Sequence, residues 1–355
     1  MKRILFVLII LSAVIPFTHA GEGGQPASVS PPQVLTAAQV ENLALLGKVW
    51  GYLKYHHPAV TGGCFDWDSE LLKRMPTLLV ESHRDAFEAE MASWVASLDT
   101  VGSCAGLDER ERQFGPRLDW LSDPAALGSE LREALARIEI VRMTNTQYYV
   151  SQQPGVRNPL FNTEVQYTAR DELDWRHRLL ALFRFWNVIE YWFPYRDLID
   201  ADWDAVLADF IPSLYTAQDD STYKLELARL VATVDDGHAN LRGMREERPP
   251  AGSAMPPFAI RVVEGKPFVW QKFEVPDSES DSLDELQIGD VILAVDGKPV
   301  EQIFSEAAPY HGASNETARK RRIAGALLAG DGDDVAATVE RNGDIVTVIS
   351  RRVAR

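Results

Sequence analysis

Apolar residues recur at helical spacing through the first two thirds of the chain. Leu43, Leu46, Val49, Trp50 and Leu53 share one helix face, as do Leu179, Leu182, Phe183, Trp186 and Ile189. Between these segments, Pro124 to Val141 predicts a helix with Leu127, Leu131, Leu135 and Ile138 turned inward. Tyr148 to Tyr167, rich in Pro, Gly and Asn, predicts an extended connector with one or two strands. From Pro256 the period changes to that of short strands. Phe258 to Val263 and Pro267 to Trp270 predict two strands about a Glu264-Gly265-Lys266 turn. Val291 to Val295 predicts a buried strand, Asp296-Gly297 a hairpin, Ser314 to Leu328 a helix, and Asn342-Gly343 the tip of a last hairpin.

The helical part is duplicated. Trp50-Gly-Tyr-Leu-Lys-Tyr-His-His-Pro58 is echoed by Trp186-Asn-Val-Ile-Glu-Tyr-Trp-Phe-Pro194, an offset of 136 residues. At that offset Asp66-Trp67-Asp68 meets Asp202-Trp203-Asp204, Leu71 meets Leu207, Pro76 meets Pro212 and Asp99 meets Asp235. Two copies of one helical unit follow, from about Ala37 to Gly102 and from about Asp171 to His238. In each, a proline (Pro58, Pro194) ends the first helix, and an aspartate (Asp66, Asp202) stands where it caps the next. The predicted fold class is α+β and multidomain, a duplicated all-helical N-terminal region followed by a β domain.

The first twenty residues lead to an expectation of export. Met1-Lys2-Arg3, the apolar run Ile4 to Phe17 and Thr18-His19-Ala20 before Gly21 have the form of a secretory signal peptide. The run is short for a membrane span, Pro16 interrupts it, and no cysteine follows the cleavage point to take a lipid. No membrane span is expected after cleavage, and the location expected is periplasmic or extracellular. The formal charge of −16 becomes −18 once Lys2 and Arg3 are removed, which argues against nucleic acid as a partner. The basic run Arg319-Lys320-Arg321-Arg322 is expected to be a solvated helix face. The two cysteines, Cys64 and Cys104, are expected to pair, stabilising the N-terminal region by about 3–4 kcal/mol. Asp331-Gly332-Asp333-Asp334 lacks the spaced ligands of a calcium loop and is expected to be a solvated turn. No metal and no cofactor are expected, and the oligomeric state is not fixed by the sequence.

The chemistry concentrates in Val234-Asp235-Asp236-Gly237-His238-Ala239. The glycine is expected to take the left-handed conformation that ends a helix, giving the next side chain a fixed direction. One reading makes His238 a capping histidine at a helix C-terminus; the other makes it a general base. The duplication weighs for the second. Where one copy has Asp235-Asp236-Gly237-His238, the other has Asp99-Thr100-Val101-Gly102, so the helical unit folds without the imidazole.

Leu286-Gln-Ile-Gly-Asp-Val-Ile-Leu-Ala-Val-Asp-Gly-Lys-Pro-Val300 closely resembles the bacterial type of PDZ domain, which implies strand addition by extended peptides and capture of a terminal carboxylate by backbone N–H groups. A helical region ending in Asp-Gly-His-Ala and followed by such a domain is similar to the tail-specific, or C-terminal processing, serine peptidases and their tricorn-core-like relatives. The organisation implied is a signal peptide at 1–20, a linker at 21–36, helical repeats at 37–107 and 171–248 about a connector at 108–170, and a PDZ-like domain at 249–355. In the tricorn-like members the matching histidine is the base for a serine, a role that falls on His238; other members use a Ser-Lys pair. The serine and its oxyanion hole lie in an α/β domain after PDZ in that family, and this sequence ends at Arg355. Ser314 stands at the start of a PDZ helix, where it is expected to cap rather than attack. Two functions are therefore expected from the sequence. One is the N-terminal part or a truncated form of a secreted serine endopeptidase, inactive by itself, acting on peptide or protein substrates. The other is a non-catalytic exported protein that binds peptides through PDZ.

Overall fold

Helices begin and end at matching places in the two copies. α1 (Ala37–His56) starts at Thr36, whose hydroxyl accepts from the Gln39 N–H in a capping box, and stops at His57 before Pro58. Its counterpart α6 (Trp175–Trp192) is capped by Asp174 and stops at Phe193 before Pro194. α3 (Trp67–Val80) and α7 (Trp203–Thr216) start 136 residues apart, capped by Asp66 and Asp202 as expected. α4 (Arg84–Leu98) and α8 (Asp220–Ala232) repeat the offset. In both copies an indole ties the helices together: Trp50 Nε1 donates to the Trp67 carbonyl at 3.2 Å and Trp186 Nε1 to the Trp203 carbonyl at 2.7 Å. The computed structural model describes residues 34–81, 83–98, 118–138, 147–167, 174–241, 243–244, 246–274 and 286–354. The expected signal peptide, the Asp99-Thr100-Val101-Gly102 counterpart of the histidine turn, and Cys104 lie outside the described residues. Among those described, no cysteine is free.

The described residues form two compact units that divide between Tyr223 and Lys224. In the first, α1 and α6 cross where each residue meets its own counterpart from the other copy. Gly47 faces Phe183, and Gly51 faces Asn187, whose Nδ2 donates to the Gly47 carbonyl at 3.0 Å. A Cβ on Gly47 would lie 2.7 Å from the Phe183 ring, so the close approach requires glycine there. Lys48 pairs with Asp204 at 3.0 Å, and the matching Arg184 pairs with Asp68. Self-matching contacts of this kind are the mark of a two-fold axis, here inside one chain.

The connector is locked to both copies by buried charge. Glu164 lies 2.6 Å from Lys54 Nζ and 3.0 Å from Arg184 Nε, and the Lys54 side chain is wholly buried. Two short antiparallel strands, β1 (Ser151–Gln152) and β2 (Pro159–Leu160), precede this contact. The helix expected over Pro124 to Val141 is shorter, with α5 at Ser129–Ala136. Asp123 accepts from the N–H groups of Ala125, Ala126 and Leu127, which folds Pro124 to Leu127 into a turn instead. Leu127, Leu131, Leu135 and Ile138 are buried as the pattern required. A short helix, α2 (Pro58–Thr61), follows α1.

The second unit takes in most of α8, the histidine turn and an antiparallel sheet. The sheet order is β4 (Phe258–Val263), β5 (Lys266–Lys272), β6 (Val291–Val295), β8 (Asp334–Arg341) and β9 (Asp344–Arg351), with β7 (Lys298–Pro299) beside β6. β3 (Ala254–Met255) pairs with β10 (Val353–Ala354). Phe258, Val269, Ile292, Phe304, Leu327 and Val339 meet in its core. The resembled motif is architectural. Asp290 is buried against Arg341 at 2.7 Å; burial works against its charge, yet Arg341 and the Gln287 N–H hold the carboxyl below its usual range. Asp296 and Gly297 both take positive φ, as a two-residue hairpin demands. α9 (Val300–Ala307) has no counterpart among the expected elements: its apolar face is Val300, Ile303, Phe304 and Ala307, too short a run to register as periodic. The expected Ser314 to Leu328 helix is α10 (Glu316–Ala324), capped by Asn315.

Candidate active site

α8 ends at Ala232, and the chain then leaves the helix through a left-handed residue. That residue is Asp235, with φ of 54°, and not the expected Gly237, which has ordinary φ and open space around its Cα. Aspartate tolerates this conformation because its short polar side chain finds a local partner; here Arg319 Nη2 reaches the Asp235 carboxylate at 3.0 Å. Ala239 is buried and its N–H bonds the Asp236 carbonyl at 3.1 Å, fixing the far end of the turn.

Between these anchors, Asp236 and His238 form a pair. The Asp236 Oδ1 accepts from the His238 backbone N–H at 2.8 Å and stands 3.0 Å from His238 Nδ1. A carboxylate only accepts, so Nδ1 carries the proton and Nε2 is left as the lone-pair nitrogen. The His238 side chain is nearly half exposed, at 46%. A carboxylate bonded to one ring nitrogen is an arrangement that can orient an imidazole for general-base chemistry. A capping role does not fit, since the ring bonds Asp236 and not a terminal helix carbonyl.

The basic run is not a solvated face. Arg319 and Arg322 of α10 turn toward the histidine turn, where Arg322 donates to the carbonyls of Gly237 and, at 2.7 Å, Gly312. Lys320 pairs with Glu301 at 2.8 Å, which leaves Arg321 as the exposed member. The signal lay in the spacing: Arg319 and Arg322 are one helical turn apart and border the buried Ile323. Below the turn, His311 is buried with Nε2 donating to the Pro249 carbonyl at 2.6 Å. Burial lowers its pKa from 6.5 to about 4, and the nearby Arg248 and Arg322 also disfavour its charge. Arg248 in turn holds the outgoing strand through Asn240 Oδ1 at 2.6 Å and the Leu241 carbonyl at 3.2 Å.

The other candidates are accounted for structurally. Ser314 is exposed and precedes the capping residue, which is Asn315. Asp331 accepts from the Ser253 N–H at 3.0 Å, and buried Arg352 gathers the carbonyls of Leu328, Gly332 and Asp334, so the acidic run is a pinned loop. Among the described residues, no group of three or more His, Cys, Asp or Glu side chains is arranged to hold a metal ion, and no helix is long and apolar enough to cross a membrane.

β4 is the second feature with chemistry to offer. Among the described residues it pairs on one side only, with β5, and α10 packs beside it. An edge strand of this kind accepts an extended peptide through backbone hydrogen bonds. The turn that leads into it is Met255-Pro256-Pro257-Phe258. Neither proline has an N–H, and the Phe258 N–H is directed at the Pro256 carbonyl at 2.7 Å.

Residues 252–354 match the family model of the PDZ domain. Two crystal structures are similar to part of the chain. A CPAF mutant is 16% identical with a TM-score of 0.39, the match covering 51% of this chain and 34% of that one. Mature CPAF is 16% identical with a TM-score of 0.37, covering 50% and 34%. The chain thus spans about a third of the length of these structures. No curated protein matches the chain.

Proposed function

We propose that this chain supplies the general base and the peptide-binding region of an exported serine-type peptidase. The observation that carries the reading is the Asp236–His238 pair, with Nδ1 engaged by the carboxylate on a half-exposed side chain. In the reaction, Nε2 takes the proton of a serine hydroxyl as its oxygen bonds to the substrate carbonyl carbon. Asp236 stabilises the imidazolium, which then gives that proton to the leaving amine as the C–N bond breaks. Among the described residues the only side-chain partner of the His238 ring is Asp236, so the hydroxyl belongs to a segment outside them. The Cys64–Cys104 pairing and the export signal belong to the same reading.

The edge of β4, beside α10, is where the peptide adds as a further strand. Recognition of a free C-terminal tail is not favoured by the Pro256-Pro257 turn, which cannot offer consecutive N–H groups to a carboxylate. The second reading, a non-catalytic peptide-binding protein, is favoured by the PDZ match with no serine hydroxyl bonded to His238 among the described residues. A fluorophosphonate probe, which reacts only with an activated serine, separates the two. The native protein in extracts of its source is expected to be labelled, with labelling lost in His238→Ala. Absent labelling, or labelling that survives the substitution, rejects the peptidase reading.

A further inference from the structure

We infer that Arg319 and Arg322 of α10 are positioning residues for His238, so that the PDZ region, and not the helical repeat, sets the direction of the base. The inference rests on the reading of His238 as a base. The turn from Thr233 to Leu241 has no regular secondary structure to hold it. Its shape is fixed instead at the two residues that bracket Asp236. On one side Arg319 Nη2 bonds the Asp235 carboxylate at 3.0 Å, where the backbone is in the left-handed region. On the other, Arg322 Nη2 donates to the Gly237 carbonyl.

Each guanidinium also grips the loop that enters α10: Arg319 Nε donates to the His311 carbonyl at 3.2 Å, and Arg322 Nη1 to the Gly312 carbonyl at 2.7 Å. Gly312 packs directly under the turn, where an added Cβ would lie 3.2 Å from Ala232 Cα and 3.5 Å from the Asp236 carbonyl oxygen. Arg322 therefore bridges two backbone carbonyls with a planar, bidentate fork, while Arg319 joins the His311 carbonyl to the Asp235 carboxylate. A lysine places one point charge and cannot hold both carbonyls in a fixed geometry. Burial disfavours the Arg322 charge, and the Asp236 carboxylate opposes that loss. Arg322 is thus held between the two things it orients, the turn backbone and the carboxylate that orients the ring.

The test uses the whole chain labelled with nitrogen-15, the His238 signals being identified by their loss in His238→Ala. Ring nitrogen shifts and the exchange rate of the His238 amide are compared in wild type, Arg322→Lys, Arg322→Gln, Arg319→Lys and Asp236→Asn, with circular dichroism to check folding. Arg322→Lys is expected to mix the two ring tautomers and to speed amide exchange about tenfold or more. Arg322→Gln, which keeps two N–H donors, is expected to fall between it and wild type and serves if the lysine variant does not fold. Arg319→Lys, which keeps the ion pair to Asp235, is expected to stay near wild type. Wild-type tautomer and exchange in both Arg322 variants, with a changed ring in Asp236→Asn, overturn the positioning role and leave the base assignment standing. A ring unchanged in Asp236→Asn overturns the base assignment as well.

Discussion

Three residues of one turn divide the work of the site. Asp235 takes the left-handed backbone, Asp236 bonds both the amide and the ring of His238, and His238 faces solvent. His311 beneath them has the opposite character. It is buried and neutral, and its Nδ1 has no hydrogen-bond partner among the described residues. Because its folded pKa, about 4, lies below the ordinary 6.5, the unfolded chain binds the proton first. The stability this group contributes is complete above pH 6.5 and is lost as pH falls toward 4, by at most about 3 kcal/mol. Urea unfolding at pH 7 and pH 4.5 is expected to show this loss in wild type and much less of it in His311→Gln. Equal losses in the two proteins contradict it. At this scale His238 was legible because the duplication supplied a copy without it. Asp236 as its orienting partner was not, since an aspartate two residues before a histidine is ordinary in sequence and only the turn brings the two together.

Among the elements, α10 and β4 carry the proposed function. The sequence pattern predicts a helix near α10 but assigns its basic residues to solvent, because charge on a helix is usually solvated and the two arginines bond partners more than 80 positions away. The ends of α1 and α6 before Pro58 and Pro194, and the starts of α3 and α7 after Asp66 and Asp202, were legible because prolines and capping aspartates leave little choice. The strand pattern of β4 was equally plain, while the consequence of Pro256-Pro257 depended on seeing that this turn leads into an edge. A prediction follows for peptide binding. Peptides of ten random residues selected on the purified chain are expected to bind with the same affinity, within about twofold, whether their C-terminus is a carboxylate or an amide. A loss of tenfold or more on amidation shows that a terminal carboxylate is held despite the prolines. Backbone hydrogen bonds along the edge are present in both forms, so the comparison isolates the terminal charge.

At the scale of the molecule, one unit is a duplicated helical scaffold and the other holds the proposed chemistry. The N-terminal unit is two copies of one helical design meeting at Gly47 and Gly51, with the connector held by the Lys54–Glu164–Arg184 cluster. Glu190 stands where the first copy has Lys54 and pairs instead with Arg196, so the two copies have diverged in their buried charge while keeping their helices. The second unit gathers the histidine turn, α10 and the sheet of the PDZ region. The duplication was legible through the helices of the two copies because its offset admits no gap. The grouping of the histidine turn with the sheet was hidden, because sequence continuity ties the turn to α8 while long-range arginine contacts tie it to α10. The central claim is that Asp236 holds His238 with Nδ1 protonated and Nε2 free to act as a base. The direct measurement is the pair of ring nitrogen shifts of His238 in the wild-type chain above its titration, beside those of Asp236→Asn. A protonated Nδ1 in wild type, replaced by a mixture in the variant, is the predicted result; a protonated Nε2 in wild type contradicts it.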